Sequence, residues 1–370
     1  MLRALFKMST SPAPKRVKTS PPLIGTHNGH FHADEALAIY LLRLLPTYNP
    51  STLLRTRDPS LLSNCHTVVD VGGEYDAGRN RYDHHQRTFD TTFPNKSTKL
   101  SSAGLVYLHF GKAIIAQRTG LNPESEEVEI LWRKLYNEFI EAIDANDNGI
   151  SVYPTSETAS LSKRFNDSGI TLSSLVGDLN NDFSISATPK STDHETNDTN
   201  SASNPDPQAA EDTRFLAAST LMGTSFLRKL NGYHTSWLPA RSTVLTAYQK
   251  RHENDPRGRI LVFRDPAPWK DHLYTFESSS SPSKSSKVLY VLYPESSTPG
   301  AKWRIQAVPT GKDSFESRKP LPEAWRGLRD EELSAKSGVE GCVFVHASGF
   351  IGGNGSEEGA REMARRAVEM

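Results

Sequence analysis

The 370-residue chain has very few cysteines and no long apolar run. Cys65 and Cys342 are the whole complement, too few for a disulfide framework or a four-thiolate zinc site, which favours a reducing compartment. No segment approaches the roughly 20 apolar residues that span a bilayer, and the longest candidates are interrupted by Arg43 or Pro294. The sequence therefore predicts a soluble protein without membrane insertion.

An excess of either charge is also missing, because 43 basic residues balance 43 acidic ones. No global positive field is available for nucleic-acid phosphates, so any site for a polyanion must be local. Hydrophobic residues make up only 36% of the chain while aromatic residues reach 9%, which indicates folded domains interrupted by polar inserts. The length is sufficient for two domains.

Acidic residues are absent before Asp34, where the chain is instead basic and rich in Ser, Thr and Pro. We interpret residues 1–22 as a disordered targeting tail. Its first seven residues are typical of a mitochondrial presequence, and residues 14–18 are typical of a nuclear-import patch. The alternative interpretation is a disordered tail that carries no targeting signal. The predicted locations are the mitochondrion and the nucleus, with the cytoplasm left open.

The first domain is predicted to alternate strands and helices over residues 23–187. Apolar and β-branched runs predict strands at 23–27, 51–56 and 67–73, and helical spacing predicts helices at 33–45, 102–117 and 126–143. Such alternation is typical of an α/β domain with a parallel sheet, in which ligand sites lie at the carboxyl ends of the strands.

A polar segment at 188–212, rich in Asn, Asp, Ser and Thr, predicts a disordered insert, and residues 278–286 form a shorter one. A smaller α/β domain is predicted over 213–370. Its expected helices are 215–230 and 242–251, and its expected strands are 259–263, 272–276, 288–293, 303–308 and 343–346, followed by a glycine-rich turn.

Metal-binding residue types collect where the predicted elements of the first domain end. They are His27, His30, His32 and Asp34 after the first strand, Asp70 at the end of a later one, Asp83, His84 and His85 beyond it, and Asp144 and Asp147 at a helix end. Carboxylates and imidazoles from four segments suit a two-metal site, because a bridging carboxylate must reach two ions about 4 Å apart.

Each part of this pattern also has a purely structural interpretation. Asp70 could accept backbone hydrogen bonds in a turn, and Asp144 and Asp147 could simply end a helix. His30 carries the least weight, since an extended segment produces its spacing by accident, and Cys65 is expected to pack. The conjunction favours a metal site, because clustered carboxylates without a cation repel one another.

The order of these motifs resembles the DHH phosphoesterase superfamily, on the triplet 83–85, the run 69–71 and the segment 27–34. Longer matches are similar to the MYG1 family at residues 24–29, 31–36, 69–75, 82–86, 99–104, 236–241, 303–306 and 346–353. The resemblance extends over nearly the whole chain outside the tail and inserts. It implies a DHH-type parallel-sheet domain with a smaller C-terminal domain that closes over the cleft.

Carried over position by position, the resemblance implies six metal ligands: His27 and His32 on one ion, Asp34 and Asp144 on the other, Asp70 between them, and His84 from the triplet. Asp147 is the alternative to Asp144. The implied cofactors are two divalent ions, with manganese first. His32 stands where most superfamily members have an aspartate, so iron or zinc is also conceivable.

The resemblance further implies that Asp83 supports His84 and that His85 contacts the scissile phosphate. The implied substrate-binding residues of the second domain are Arg304, His346, Gly352 and Gly353. A glycine-rich turn at 349–355 would let backbone N–H groups approach phosphate, and Arg304 would supply a bidentate fork. A plain strand-to-helix connection is the alternative interpretation of the two glycines.

Three functional hypotheses follow. The MYG1 resemblance implies a 3′→5′ exoribonuclease that processes single-stranded RNA with a water activated by two metal ions, in mitochondrion and nucleus. A hydrolase of small phosphoanhydrides or dinucleotides suits the neutral charge. A metal-stabilised binding protein without activity is the third, although structural zinc sites use Cys and His rather than many carboxylates. The oligomeric state stays open.

Overall fold

The computed structural model describes residues 21–162, 170–185, 206–279 and 287–370. The predicted targeting tail lies outside these ranges up to residue 20, as do residues 188–205 of the predicted insert. Chain contacts divide the protein into two compact units, of which the first ends at Lys229 and the second begins at Leu230. This division falls later than the predicted start of the second domain at residue 213.

In the part of the first unit that the structure describes there are five strands and eight α-helices, the last of which ends in the second unit. The strands are β1 (Leu23–Thr26), β2 (Thr52–Arg55), β3 (Thr67–Val69), β4 (Tyr75–Asp76) and β5 (Arg81–Tyr82). The helices are α1 (Ala33–Arg43), α2 (Pro59–Ser63), α3 (Ser102–Thr119), α4 (Glu126–Leu135), α5 (Glu141–Asp147), α6 (Thr155–Thr158), α7 (Leu172–Asn180) and α8 (Pro207–Gly232), which continues into the second unit.

The sheet of the first unit has the order β2-β1-β3-β5-β4. All its pairings are parallel except β4 with β5. The prediction of an α/β unit with a parallel sheet is therefore confirmed for four strands, and an antiparallel edge strand is added. A parallel sheet brings the carboxyl ends of β1 and β3 to one edge, which is where the predicted metal ligands begin.

Helix α1 shows how the sequence fixes a buried element in this unit. Its Ala- and Leu-rich residues favour a helix, which ends shortly before Pro46. Nearly all of its side chains are buried, and it packs against α3. The predicted helix 126–143 is instead α4, a π-helical turn at Tyr136–Ile140, and α5.

Within its described residues, the second unit contains five strands and five further α-helices, together with the end of α8. The strands are β6 (Ile260–Val262), β7 (Tyr290–Pro294), β8 (Trp303–Ala307), β9 (Cys342–Val345) and β10 (Ile351–Asn354), and the helices are α9 (Leu238–Gln249), α10 (Arg251–Asn254), α11 (Lys270–Ser279), α12 (Asp330–Ser337) and α13 (Glu357–Glu369). The sheet order is β6-β7-β8-β10-β9, parallel only between β6 and β7. Ile305, Tyr290, Trp325 and Met363 belong to its core.

Three predictions about secondary structure are wrong. Residues 272–276 lie in α11 rather than in a strand, because Trp269, Leu273 and Phe276 follow helical spacing and pack into one core cluster. The glycine-rich segment predicted as a turn contains β10. The predicted disordered insert 188–212 is helical from Pro207, where α8 begins. Among the described helices, none is both long and apolar enough to cross a membrane.

Candidate metal centre

Asp70 stands at the end of β3 in a backbone conformation that aims its carboxylate. Its φ is 57°, in the left-handed region that few non-glycine residues adopt, and Gly72 and Gly73 follow with φ of 100° and 68°. Such strain persists where the surrounding structure fixes it, and it is concentrated at functional sites. The two carboxylate oxygens face different histidines, Oδ2 at 3.3 Å from His27 Nε2 and Oδ1 at 3.3 Å from His84 Nε2.

His27 is buried just after β1 and contacts two carboxylates. Its Nε2 lies 3.2 Å from Glu35 Oε1 in addition to the contact with Asp70. Burial opposes the charged imidazolium, yet the carboxylates of Asp70 and Glu35 outweigh burial and raise the pKa of His27 to about 10. The side chain is therefore held in a strongly negative environment.

Glu35 is a site residue that the sequence analysis missed. It lies in the first turn of α1, fully buried, and its carboxylate accepts hydrogen bonds from the backbone N–H of His32 at 2.8 and 3.1 Å. Burial raises the pKa of Glu35 well above its ordinary value, and the neighbouring Asp34 and Asp70 add to that rise. The signal available in the sequence was a Glu three residues after the helix N-cap, the acidic half of a capping box.

The segment between His27 and His32 is fastened on two sides. Asn180 of α7 both donates to and accepts from the backbone of Phe31, at 2.9 and 3.0 Å. Glu211 of α8 accepts from the Gly29 N–H at 2.7 Å and from the buried Arg55 guanidinium at 2.7 Å. Arg55 also donates to the Gly29 carbonyl at 2.8 Å, so one cation joins the ligand loop to α8.

His84 completes the other side of the cluster. Its Nε2 lies 2.9 Å from Asp147 Oδ2 at the end of α5, as well as near Asp70. Burial opposes protonation, but Asp147, Asp70 and Asp34 raise the pKa of His84 to about 11. Burial also raises the pKa of Asp34, whose Oδ2 accepts a 2.6 Å hydrogen bond from the Ser102 hydroxyl.

Asp144, the predicted ligand of the second ion, is hydrogen-bonded to protein groups outside the ligand cluster. Its carboxylate accepts hydrogen bonds from the Ser101 N–H and hydroxyl, the Gly104 N–H and the Tyr136 hydroxyl, at 2.7–3.0 Å. Burial raises its pKa to about 7. The structure brings Asp147 to the ligand cluster instead, so the ligand prediction passes to Asp147, the alternative named from the sequence.

Asp83 does not support His84 as predicted but supports its neighbour. Its carboxylate accepts from His85 Nδ1 at 2.6 Å, from the His85 N–H at 3.1 Å and from the Gly73 N–H at 2.6 Å. The His85 side chain is 61% exposed, and its Nδ1 lies 3.7 Å from Asp70 Oδ1. Asp83 thus links the turn after β3 to a solvent-facing imidazole.

The donor atoms fall into three overlapping groups that could each hold a metal ion. Within each group the atoms lie within 4.8 Å of one another, and the groups are His27, His32, Glu35 and Asp70; Asp70, His84 and His85; and His32, Asp34 and Asp147. His30 belongs to none of the groups found among the described residues. The sharing of Asp70 and His32 joins the groups into one cluster.

Unsatisfied polar atoms show that this cluster fits divalent cations. Among the described residues, the buried atoms Asp34 Oδ1, Asp70 Oδ1 and His84 Nε2 make no well-directed hydrogen bond, although His84 Nε2 lies 2.9 Å from Asp147 Oδ2 and 3.3 Å from Asp70 Oδ1. Buried polar atoms are normally hydrogen-bonded, and clustered carboxylates repel unless a cation lies between them. Carboxylate oxygens and imidazole nitrogens are ligands for manganese, iron and zinc.

Comparison with known proteins connects this cluster to a family. A family model with the name MYG1_exonuc and the description "Uncharacterised protein family (UPF0160)" matches residues 23–368. The chain belongs to the MYG1 family. This confirms the resemblance to the MYG1 family that the sequence motifs indicated.

The MYG1 relatives cover this chain almost completely. The MYG1 exonuclease of Homo sapiens is 46% identical over 364 residues, which are 96% of this chain and 88% of the human protein. The MYG1 protein of Saccharomyces cerevisiae is 41% identical over 358 residues, 96% of this chain and 98% of the yeast protein. The MYG1 protein of Caenorhabditis elegans is 42% identical over 355 residues, which are 94% of this chain and 95% of the Caenorhabditis elegans protein.

The predicted substrate-binding residues of this MYG1 family member, apart from His85, lie in the second unit. Gly352 and Gly353 are in β10, paired on both sides with β8 and β9, so their backbone groups serve the sheet. A Cβ at Gly353 would collide with the Arg304 side chain, which forms an ion pair with Glu295 and lies 4.9 Å from the Phe344 ring centroid. The glycine therefore makes room for the arginine.

His346 follows β9 and is exposed in the turn before β10. Its Nδ1 lies 2.9 Å from the Ser348 hydroxyl. Gly349, with φ of 73°, is the residue in this turn that requires glycine. The substrate-binding role of these residues stays a prediction.

Proposed function

We propose that this MYG1 family member is a metal-dependent phosphodiesterase, an exonuclease that shortens single-stranded RNA from its 3′ end. The observation that carries the proposal is the carboxylate and histidine cluster joined by Asp70 and His32. The name of the human relative, MYG1 exonuclease, supports a nuclease. Involvement in RNA processing is part of the same proposal.

The ligand groups suggest how two divalent ions would be held. The group His27, His32, Glu35 and Asp70 would hold one ion. The other two groups together would supply Asp34, Asp147 and His84 for the second ion, and Asp70 would serve both because its two oxygens face His27 and His84. Manganese is the proposed metal, and iron or zinc suits the histidine content. When bound, such ions would polarise phosphoryl oxygens and lower the pKa of a bound water.

His85 is the proposed phosphate-contacting group. The hydrogen bond to Asp83 raises the pKa of His85, which favours the imidazolium, and it fixes the ring through Nδ1. The exposed Nε2–H is then a donor that can stabilise the negative charge that develops on the phosphoryl oxygens. In this role Asp83 positions His85 rather than the metal ligands.

The test is hydrolysis of single-stranded RNA labelled at either end, by protein freed of metal and resupplied with manganese. We expect stepwise shortening of the 5′-labelled strand, lost in Asp70→Asn and kept in Asp58→Asn, an exposed helix cap outside the ligand groups. Cleavage of pyrophosphate or a dinucleotide with intact RNA would favour the small-molecule alternative. No cleavage with any divalent ion would favour a binding protein.

Location is a separate proposal that rests on the basic residues before Ala33. We propose import into the mitochondrion and the nucleus. Residues 1–22 fused to a fluorescent protein should direct it to the mitochondrion or the nucleus, and replacement of Lys15, Arg16 and Lys18 by Ala should remove the nuclear fraction. A fusion spread evenly through the cell in both forms would contradict targeting.

A further inference from the structure

A separate cavity of about 380 Å³ lies within the second unit, beside the start of α11 and the strands β7 and β8. Aromatic and proline rings form much of its lining, including Trp237, Trp269, Tyr293 and Pro268. Its volume falls in the range of small-molecule sites, which are mostly apolar with a few oriented polar groups.

Three polar side chains of the lining, Tyr293, Gln306 and Lys270, could contact a ligand. The Tyr293 hydroxyl donates to Gln306 Oε1 at 2.9 Å, which orients the amide and leaves its NH₂ group as a hydrogen-bond donor. Lys270, the first residue of α11, is exposed, and no described acidic group forms an ion pair with it. The lining also contains Asp271, whose Oδ1 lies 3.3 Å from Lys312 Nζ, so this carboxylate is paired with a cation. The cavity therefore combines flat rings, an oriented amide and, at its edge, the Lys270 ammonium beside a paired carboxylate.

We propose that this cavity binds a nucleobase of the RNA substrate, with a neighbouring phosphate at Lys270. The inference rests on the proposed nuclease function and extends it to a base-binding site away from the metal ligands. Every base has a flat face that stacks on aromatic rings, so the site would tolerate many sequences. The Gln306 amide donates to acceptors on the base edge, and the ammonium attracts phosphate.

Grooves of Trp, Tyr and Pro also bind proline-rich peptides. Lys270 and the donor amide of Gln306 favour the nucleotide, because a polyproline ligand carries no anion for the ammonium. A proline-rich peptide is therefore the competing occupant that the experiment must exclude.

The test is isothermal titration calorimetry of the full chain with AMP and with ribose 5-phosphate, which has the phosphate but no base. We expect saturable binding of AMP only, weakened about 10-fold in Trp237→Leu, restored in Trp237→Phe, and weakened about 3-fold in Lys270→Ala. Matched controls are Phe315→Ala, an exposed aromatic residue, and Lys302→Ala, an exposed lysine, both outside the cavity. Both should bind AMP as the parent does.

Failure of this inference can be separated from failure of the nuclease proposal. Hydrolysis of bis(p-nitrophenyl) phosphate reports the metal centre alone and should be unchanged in Trp237→Leu and Lys270→Ala, while the KM for an oligoribonucleotide rises. Equal AMP binding by all variants, or no AMP binding, would overturn the base site even if RNA is cleaved. Saturable binding of a proline-rich peptide in place of AMP would also overturn it.

Discussion

At the scale of single residues, one helical turn separates a proposed metal ligand from an acid that is hydrogen-bonded to protein groups. Asp144 and Asp147 stand three positions apart in α5, yet Asp144 accepts four hydrogen bonds from protein groups while Asp147 faces His84 and Asp34. The two carboxylates therefore have different physical roles. Their variants should separate stability from metal binding.

We expect Asp147→Asn to weaken metal binding with little loss of stability, because the half-buried carboxylate lies in a ligand group. Asp144→Asn should instead lower the free energy of unfolding by about 1–3 kcal/mol, since its four donors use both carboxyl oxygens and the amide offers only one acceptor oxygen. Metal content of the purified variants and their urea unfolding check both statements. Normal metal content in Asp147→Asn would contradict the ligand assignment.

At the scale of elements, α5 approaches α3 through a position where only glycine fits. A Cβ on Gly104 would lie 2.7 Å from Cγ of Asp144 and still nearer its oxygens. The close approach lets the Gly104 N–H reach the Asp144 carboxylate, and it sets where the end of α5 carries Asp147.

Gly104→Ala should therefore destabilise the protein by about 1–3 kcal/mol through overpacking. Gly177→Ala is the matched control, because Gly177 lies inside α7 and a Cβ there would meet no atom of the described residues within 4 Å. That control should gain about 0.5–1 kcal/mol from helix propensity. Chemical denaturation measures both, and equal effects would argue against the close contact.

Also at the scale of elements, Arg55 connects Glu211 of α8 to the loop that carries His27 and His32. Arg55→Met removes the cation between Gly29 and Glu211, so the loop that carries His27 and His32 should lose its fixed position. We expect metal affinity to fall about 10-fold, as for other supports of ligand residues. Calorimetric titration of the folded variant with manganese measures this.

Arg133→Met provides the control for that experiment, because Arg133 pairs with Glu129 on an exposed helix face. Exposed pairs of this kind contribute about 0–1 kcal/mol. Its manganese affinity should equal that of the parent. If the manganese affinity of Arg55→Met is also unchanged, the loop that carries His27 and His32 keeps its position without the contacts of Arg55.

At the scale of the whole molecule, the candidate metal centre is a concentration of buried charge in a chain of zero net charge. The ligand groups bring together the carboxylates of Asp34, Glu35, Asp70 and Asp147. Their mutual repulsion costs stability that bound cations would offset. Stability should therefore depend on metal more than on overall charge.

Chelation should accordingly lower the thermal midpoint, and manganese should restore it. A ligand at about 100 times its dissociation constant adds about 2.7 kcal/mol. Differential scanning calorimetry with and without a chelator measures the shift, and Asp70→Asn should reduce it. A thermal midpoint that changes with neither chelator nor added manganese would contradict a metal site in the native state.

The sequence by itself determined the elements with strong local signals. The apolar run of β1, the Ala- and Leu-rich α1 and the β-branched β3 follow local preferences, and the ligand types after them are readable because parallel strands end at one edge. Long motifs in the right order also identified the family. The preferences of these strands and this helix depend only on residues close together along the chain.

Only the tertiary structure decided which candidates meet. It decided that Asp147 rather than Asp144 joins the ligand groups, that Glu35 does so as well, and that Asp83 supports His85. These outcomes depend on side-chain directions and on contacts between residues distant in sequence. Glycine in β10 likewise follows from the space that Arg304 needs on the neighbouring strand. The local sequence pattern predicts which elements form and which residue types follow them. Tertiary packing determines which of those residues lie within a few ångströms of one another and can form a site.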